Sequence, residues 1–211
     1  MSSRRTVQTI VALSRSASPG PTPAFTAVHV SLAVIVIGDR GPIGRIELSR
    51  RLGLGEGAVR TIIKHLTARS FVDPAKEGCV LTTRGMTLYK SLRSKLSEIH
   101  PLNARQLALD RANAAVLIRN SGDVVRSGIE QRDAAIRAGA TGACTLVYRN
   151  GKLAMPKRDR DDSTLASNDL LFEDLRKLLD PQEGDVVIIA SAPSIGLAEH
   201  GAMAAALATL S

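Results

Sequence analysis

The chain has 211 residues, of which 44% are hydrophobic, and it carries 28 Lys+Arg against 20 Asp+Glu. This length and apolar content suit one large or two small packed domains, and they exclude a wholly disordered or collagen-like chain. The chain has no Trp, 3 Phe and 2 Tyr. Modules that stack single-stranded bases on several rings are therefore disfavoured.

The positive charge is concentrated in the N-terminal half of the chain. Residues 1–105 hold 16 Lys+Arg and 6 Asp+Glu, a balance of +10, whereas residues 106–211 hold 12 and 14, a balance of −2. This asymmetry predicts a nucleic-acid or membrane surface on one domain and a different role for the other.

Several classes of protein are disfavoured by what the sequence lacks. Cys79 and Cys144 have no partner at metal-ligand spacing, which favours a reducing, cytoplasmic protein without a metal site. The apolar run 27–37 is too short to span a membrane. Neither a phosphate-binding loop nor a dinucleotide motif is present, so we predict no cofactor.

Residues 1–23 are predicted to be a flexible leader, because the Ser/Pro/Gly-rich segment 14–23 cannot sustain a helix. A domain over 24–101 follows, with predicted helices at 24–37, 45–52, 56–69 and 83–99 and a hairpin at 71–82 before the last helix. In that last helix, Tyr89, Leu92, Leu96 and Ile99 form a stripe. The stripe favours pairing with a second copy in a homodimer, with packing on the chain's own core as the alternative.

The residues of this domain carry a resemblance. The stretch 46–66, Ile-Glu-Leu-Ser-Arg-Arg-Leu-Gly-Leu-Gly-Glu-Gly-Ala-Val-Arg-Thr-Ile-Ile-Lys-His-Leu, is followed by a hairpin whose return strand ends Leu-Thr-Thr-Arg-Gly at 81–85. These segments resemble the winged helix-turn-helix of many prokaryotic transcription regulators. The resemblance implies binding to double-stranded DNA.

The candidate DNA-binding residues follow from the predicted helix faces. A helix fits the major groove, where Arg, Thr and Lys can reach base edges or phosphates. The candidates are Glu56, Arg60, Thr61 and Lys64 on the third helix, Arg45, Arg50 and Arg51 on the second, and Lys76 and Arg84 on the wing. The alternatives are a solvated charged helix face and a protein-interaction module.

Residues 102–211 are predicted to form a small α/β domain. We expect strands at 114–118, 143–148, 152–155 and 185–191, and helices at 128–138, 168–179 and 197–210, with a charged loop at 157–162. Ser127 and Glu130 have capping-box spacing. The order β-α-β-β-α-β predicts a split βαβ, ferredoxin-like sheet, and other four-stranded topologies stay open.

Most of residues 24–211 resembles a group of archaeal proteins of uncharacterised function that join a winged helix to a conserved C-terminal domain. The segments 128–142 and 198–202 carry this similarity. The resemblance implies a transcription regulator and supplies no established activity.

The segment at 130 is chemically unusual, because four hydrogen-bonding side chains crowd into one helical turn. We predict a ligand site formed by Glu130, Gln131, Arg132 and Asp133, completed by Glu199 and His200 at the start of the last helix. The alternative is a solvated helix start with ordinary surface pairs.

The sequence as a whole predicts a DNA-binding regulator whose C-terminal domain senses a small ligand or holds a dimer. One alternative is an enzyme acting on a small metabolite, with Glu130, Asp133 or His200 as acid or base. Another is a protein-interaction adaptor.

Overall fold

The computed structural model describes residues 2–15, 23–104, 107, 109–156 and 170–211. The chain forms two compact units, Met1–Ser94 and Lys95–Ser211, so the boundary falls before the 101/102 position expected from the sequence. The charged loop predicted at 157–162 lies outside the described residues, as does most of the segment 14–23.

The N-terminal unit begins with helix α1 (Ser3–Ser14), so the prediction of a flexible leader is wrong for these residues. Thr6, Val7, Ile10 and Leu13 are buried and lie on one face of the helix. Two hydrogen bonds tie α1 to the unit: Thr6 Oγ1 lies 2.6 Å from Ser91 Oγ, and His65 Nδ1 lies 3.0 Å from the Leu13 carbonyl oxygen. The helix forms because its apolar stripe has a core to pack on.

Three further helices follow: α2 (Ala27–Arg40), α3 (Arg45–Leu52) and α4 (Glu56–Ala68). Gly53 ends α3 in the left-handed conformation, with φ of 61°, which glycine adopts at little cost. The apolar stripes of α3 and α4 meet through residues with 0% exposure: Leu48, Leu52, Val59, Ile62 and Leu66. These helices confirm the periodicity read from the sequence.

Strands β1 (Val72–Ala75) and β2 (Gly78–Leu81) then form the expected antiparallel hairpin. Ile43 pairs with Cys79 and so adds a third, single-residue strand to the hairpin. A Cβ on Gly78 would lie 2.6 Å from the Ile43 carbonyl carbon, which explains why a glycine stands at this close approach.

Helix α5 (Thr83–Arg93) closes the unit. Thr82 caps it by accepting a hydrogen bond from the Gly85 N–H at 3.1 Å. The helix ends six residues before the predicted end at 99. Tyr89 donates to Asp39 Oδ1 at 2.6 Å, and Leu92 and Leu96 are buried within the chain. The predicted apolar stripe is therefore not one helical face, and it does not support a dimer.

The C-terminal unit contains a five-stranded antiparallel sheet in the order β3-β4-β7-β5-β6. Its strands are β3 (His100–Pro101), β4 (Ala112–Ile118), β5 (Gly142–Arg149), β6 (Lys152–Ala154) and β7 (Val186–Ala192). Strand β3 was not predicted.

The ferredoxin-like arrangement is wrong in its strand order. That arrangement would place β4 and β6 in the centre of the sheet, whereas here β7 lies between β4 and β5. The physical reason lies in the composition of the strands. Every residue of β7 is buried, as a central strand requires, whereas the short β6 exposes Lys152 and suits an edge.

Three helices cover the two faces of this sheet: α6 (Ile129–Arg137), α7 (Leu170–Leu179) and α8 (Ile195–Thr209). The apolar side of α7 shares a core with Val187 and Ile189. The next residue of β7, Ala190, faces Gly201 of α8, so α8 lies on the opposite face of the sheet. Gly201 also packs against Ala135 of α6.

The start of α6 differs from the prediction. Gly128 is its N-cap residue, with φ of 74°, and it offers no side chain to cap the helix. The predicted capping box between Ser127 and Glu130 is therefore wrong, because the chain enters α6 through a left-handed glycine.

Candidate functional site

The outer face of α4 carries the first candidate surface. Arg60 and Lys64 are exposed and share one side of the helix, because they are i and i+4, and Glu56 is exposed one turn earlier. The hydroxyl of the half-buried Thr61 donates to the Gly57 carbonyl at 3.1 Å. The buried stripe on the opposite side of α4 fixes this orientation. Two cations are thereby held side by side on a rigid element.

The arginines of α3 lie on the neighbouring helix. Arg51 Nε lies 2.7 Å from Glu47 Oε1, and Arg50 Nη1 lies 4.0 Å from Glu47 Oε2. The side chain of Arg50 is 75% exposed. Such exposed pairs contribute only about 0–1 kcal/mol, so both guanidinium groups can exchange Glu47 for another anion at small cost.

Arg45 opens α3 close to the hairpin. Ile43, two residues before Arg45, pairs with Cys79 of β2. Burial raises the pKa of the Cys79 thiol, and the positive charge of Arg45 opposes that shift. Lys76 is exposed in the turn between β1 and β2. These two cations therefore extend the basic surface from α3 towards the hairpin.

Arg84 does not lie on the hairpin, where the sequence interpretation put it. It belongs to the first turn of α5. Its Nη1 donates to the Arg69 carbonyl at 3.1 Å, and its Cζ lies 4.5 Å from the centroid of the Phe71 ring. These contacts join the end of α4 to α5. A structural role for Arg84 was not visible in the sequence.

The residues predicted to form a ligand site in the C-terminal unit are only partly brought together. Glu130 is exposed and Gln131 is buried. Arg132 Nη2 and Nε donate to Asp133 Oδ1 at 3.0 and 3.2 Å.

Glu199 and His200 occupy the second turn of α8, and not its start, because the helix begins at Ile195. Burial raises the pKa of the Glu199 carboxyl. Of the six predicted residues, Arg132 is the one that lines the cavity described next.

A cavity of about 380 Å³ lies in the C-terminal unit, beside the start of α6 and the first half of β5. Its apolar walls include Leu107, Leu109, Ile129, Cys144, Met155 and Pro156. Its polar lining comes from Ser127, Arg132 and Thr145. This volume lies within the usual range for small-molecule sites.

Thr145 is the polar residue that the sequence reasoning missed. It is 5% exposed, and its Oγ1 is buried without a hydrogen-bond partner among the described residues. The sequence held one indication of this residue, because Thr145 is a hydroxyl-bearing residue among the apolar residues of β5. A buried hydroxyl with no partner is uncommon, because each one costs roughly 1–3 kcal/mol.

The cavity also contains a thiol. Burial raises the pKa of Cys144 to about 11, so this group is a neutral wall at pH 7 and not a thiolate. Within the described ranges, no group of three or more His, Cys, Asp or Glu residues could hold a metal ion. No helix in that part of the chain is long and apolar enough to cross a membrane.

The sequences of both units match known families. Residues 30–87 match the family described as PH0730-like, N-terminal domain, and residues 109–210 match a domain of unknown function, DUF4443. The chain therefore has the two-part organisation of proteins that join these domains.

A solved relative covers both units. The hypothetical protein PH0730 from Pyrococcus horikoshii OT3 is 30% identical, and the alignment covers 85% of this chain and 90% of that one with a TM-score of 0.65. No curated protein matches. The chain belongs to the PH0730-like family. The resemblance to archaeal proteins of uncharacterised function is confirmed to this extent.

Proposed function

We propose that the chain is a DNA-binding transcription regulator whose N-terminal unit is a winged helix. In this proposal α4 is the recognition helix, α3 supports it, and the β1–β2 hairpin is the wing. The observation that carries the proposal is the pair Arg60 and Lys64, exposed on the face of α4 that is opposite its buried stripe.

The major groove of DNA admits a helix of this kind, and its base edges present acceptors that Arg and Lys can reach. Arg60 can bridge the O6 and N7 atoms of guanine, whereas Lys64 can reach a base edge or a phosphate. Glu56 can accept a hydrogen bond from cytosine N4. Thr61 is the least suited of these residues to contact DNA directly, because its hydroxyl already donates a hydrogen bond to the Gly57 carbonyl.

Phosphate contacts would come from the elements around α4. We assign this role to Arg45, Arg50 and Arg51 on α3, to Lys76 on the hairpin and to the remaining N–H groups of Arg84. The N-terminal unit has 14 Lys+Arg against 5 Asp+Glu. This excess of positive charge favours a polyanion as the partner over a protein surface with few acidic residues.

The C-terminal unit supplies the regulatory half of the proposal. Its cavity supports effector binding. The side chains of Ile129, Ile136, Ile195 and Leu197 are exposed on α6 and α8 and support contact with a second copy. A dimer would match the two-fold symmetry of a palindromic operator. Light scattering of the purified chain, with a dimer mass expected, tests this part.

The DNA-binding proposal is tested by fluorescence anisotropy of a labelled mixed-sequence duplex of about 30 base pairs at low salt. Wild type should bind with a Kd at or below the roughly 10⁻⁴–10⁻⁶ M of non-specific binding at physiological salt. The variant R60E/K64E should bind at least tenfold more weakly, because two attractive contacts become repulsive.

The matched control is R176E/K177E, which makes the same change in net charge on exposed residues of α7. Its affinity should stay within about twofold of wild type, since the proposal assigns no DNA contact to α7 and charge outside the contact surface acts only through the screened overall field. Equal losses in the two variants, or no wild-type binding at low salt, would contradict the proposal.

A further inference from the structure

The cavity in the C-terminal unit has features that define the chemistry of its ligand. Most of its walls are apolar, including Leu107, Leu109 and Met155. Its volume of about 380 Å³ corresponds to roughly a dozen waters at about 30 Å³ each. An occupant would therefore be a small molecule that is largely apolar in its body.

The second feature is the hydroxyl of Thr145. This side chain lines the cavity, is 5% exposed, and has no hydrogen-bond partner for Oγ1 among the described residues. Gly128 lies against it, because a Cβ added at Gly128 would be 3.3 Å from Thr145 Oγ1. The hydroxyl is therefore at the point where α6 begins. Because Oγ1 itself is buried, it would donate a hydrogen bond to an occupant of the cavity after rotation about the Cα–Cβ bond of Thr145.

The third feature is the N-terminus of α6, since Ser127, Gly128 and Ile129 all line the cavity. The N-cap residue of this nine-residue helix, Gly128, has no side chain to cap it. The first N–H groups of a helix lack intrahelical partners, and the positive end of the helix dipole lies among them. This end of the cavity therefore favours a negatively charged group.

Arg132 places a full positive charge at the same end. It lines the cavity, and its pair with Asp133 uses Nε and Nη2 on an exposed surface where the side chains are 50% and 46% accessible. Nη1 takes no part in that pair. Because Asp133 already offsets much of the charge of Arg132, the site suits a group with one negative charge better than a phosphate, which carries nearly two.

We propose that this cavity binds a small monocarboxylate with an apolar body, the effector of the regulator. The carboxylate lies at the start of α6, where it accepts hydrogen bonds from the first-turn N–H groups, from Thr145 Oγ1 and from Arg132. The apolar body extends along Leu107, Leu109 and Met155. This inference rests on the effector part of the proposed function, and it gives the orphaned hydroxyl a partner.

The test is calorimetric titration of the full-length protein with butanoate, hexanoate and octanoate in the absence of DNA. Affinity should rise about three- to fourfold for each added methylene until the cavity is filled. Hexanamide, which has the same body without the charge, should bind at least tenfold more weakly than hexanoate. One site per chain is expected.

Two variants test the assigned contacts independently. Arg132→Leu removes the cation, and Thr145→Val removes the hydroxyl while keeping the shape of the side chain; each should weaken hexanoate binding by at least fivefold. Arg137→Leu is the matched control, because Arg137 is exposed in the last turn of the same helix and does not line the cavity. Its affinity for hexanoate should equal that of wild type.

The inference is overturned if none of the three carboxylates binds, if hexanamide binds as tightly as hexanoate, or if Arg132→Leu and Thr145→Val match Arg137→Leu. Because no DNA is present, these outcomes leave the DNA-binding proposal unaffected. If the protein bound hexanoate but no duplex, only the DNA-binding part of the proposed function would be contradicted.

Discussion

Helix α1 offers a direct test of the packing of the N-terminal unit. The change is Ile10→Ala, at a residue with 0% exposure on the buried face of the helix. It removes three carbon groups, worth about 0.8 kcal/mol each in transfer free energy, and it leaves a space that the surroundings refill only partly. We expect the free energy of unfolding to fall by about 3 kcal/mol.

Urea unfolding followed by circular dichroism measures this loss. For a slope of about 1–3 kcal/mol per molar urea, the midpoint of the transition that includes the N-terminal unit should fall by roughly 1–3 M. Gln8→Ala, at an exposed position of the same helix, should stay within about 0.5 kcal/mol of wild type. If Ile10→Ala lowered the free energy of unfolding by less than about 0.5 kcal/mol, the packing of α1 would be refuted and the result would support a flexible leader.

Three other predictions concern single sites. Thr145→Val should raise the free energy of unfolding of the ligand-free protein by about 1 kcal/mol, because it removes a buried hydroxyl without a partner; a lower urea midpoint would contradict this. Gly78→Ala should cost about 2–4 kcal/mol, since φ is 139° and its Cβ would meet the Ile43 backbone. Gly57→Ala, in the first turn of α4 where a Cβ would meet nothing within 4 Å, should instead stabilise by about 0.5–1 kcal/mol. Equal effects of the two substitutions would be inconsistent with the hairpin geometry. Cys144 should react with iodoacetamide about tenfold more slowly than a thiol of pKa 9.0, because its own pKa is about 11 and the smaller thiolate fraction is only partly offset by the greater nucleophilicity of that thiolate. Its rate should keep rising up to about pH 11, and a plateau near pH 9 would show that the thiol is not buried.

The elements that the sequence predicted well depend on local signals. Helices α3 and α4 were located to within one residue because each has an apolar stripe and because Gly53 separates them. The β5–β6 turn was located for the same kind of reason, since Asn150 and Gly151 both adopt positive φ, as a two-residue hairpin turn requires.

The wrong predictions depend on contacts between distant parts of the chain. The order of the sheet follows from the pairing of β7 with β4 and β5, which no local pattern records. Helix α1 has an apolar stripe, but its burial depends on partners such as Ser91, which is 85 positions from Thr6. The extent of α5 was overestimated because Leu96 continues the helical spacing while it pairs with Ile118 of β4.

The candidate sites divide in the same way. The exposed face of α4 could be read from periodicity, since the buried stripe dictates what remains outside. The cavity could not, because its lining comes from α6, from β5 and from the segments that precede β4 and follow β6. The sequence interpretation used one helical turn and therefore found Arg132 while missing Thr145.

The salt dependence of duplex binding tests the central claim, contact between α4 and DNA, most directly. The seven candidate cations can neutralise at most seven phosphates. At roughly −0.9 for each phosphate, the slope of log K against log salt should be no steeper than about −6. On a mixed-sequence duplex, which is bound through its phosphates and not through specific bases, replacing Arg60 and Lys64 by alanine should reduce the magnitude of that slope by about 2, whereas replacing Arg176 and Lys177 should leave it unchanged. An identical slope in wild type and the α4 variant would contradict the assignment of α4 as the DNA-contacting helix.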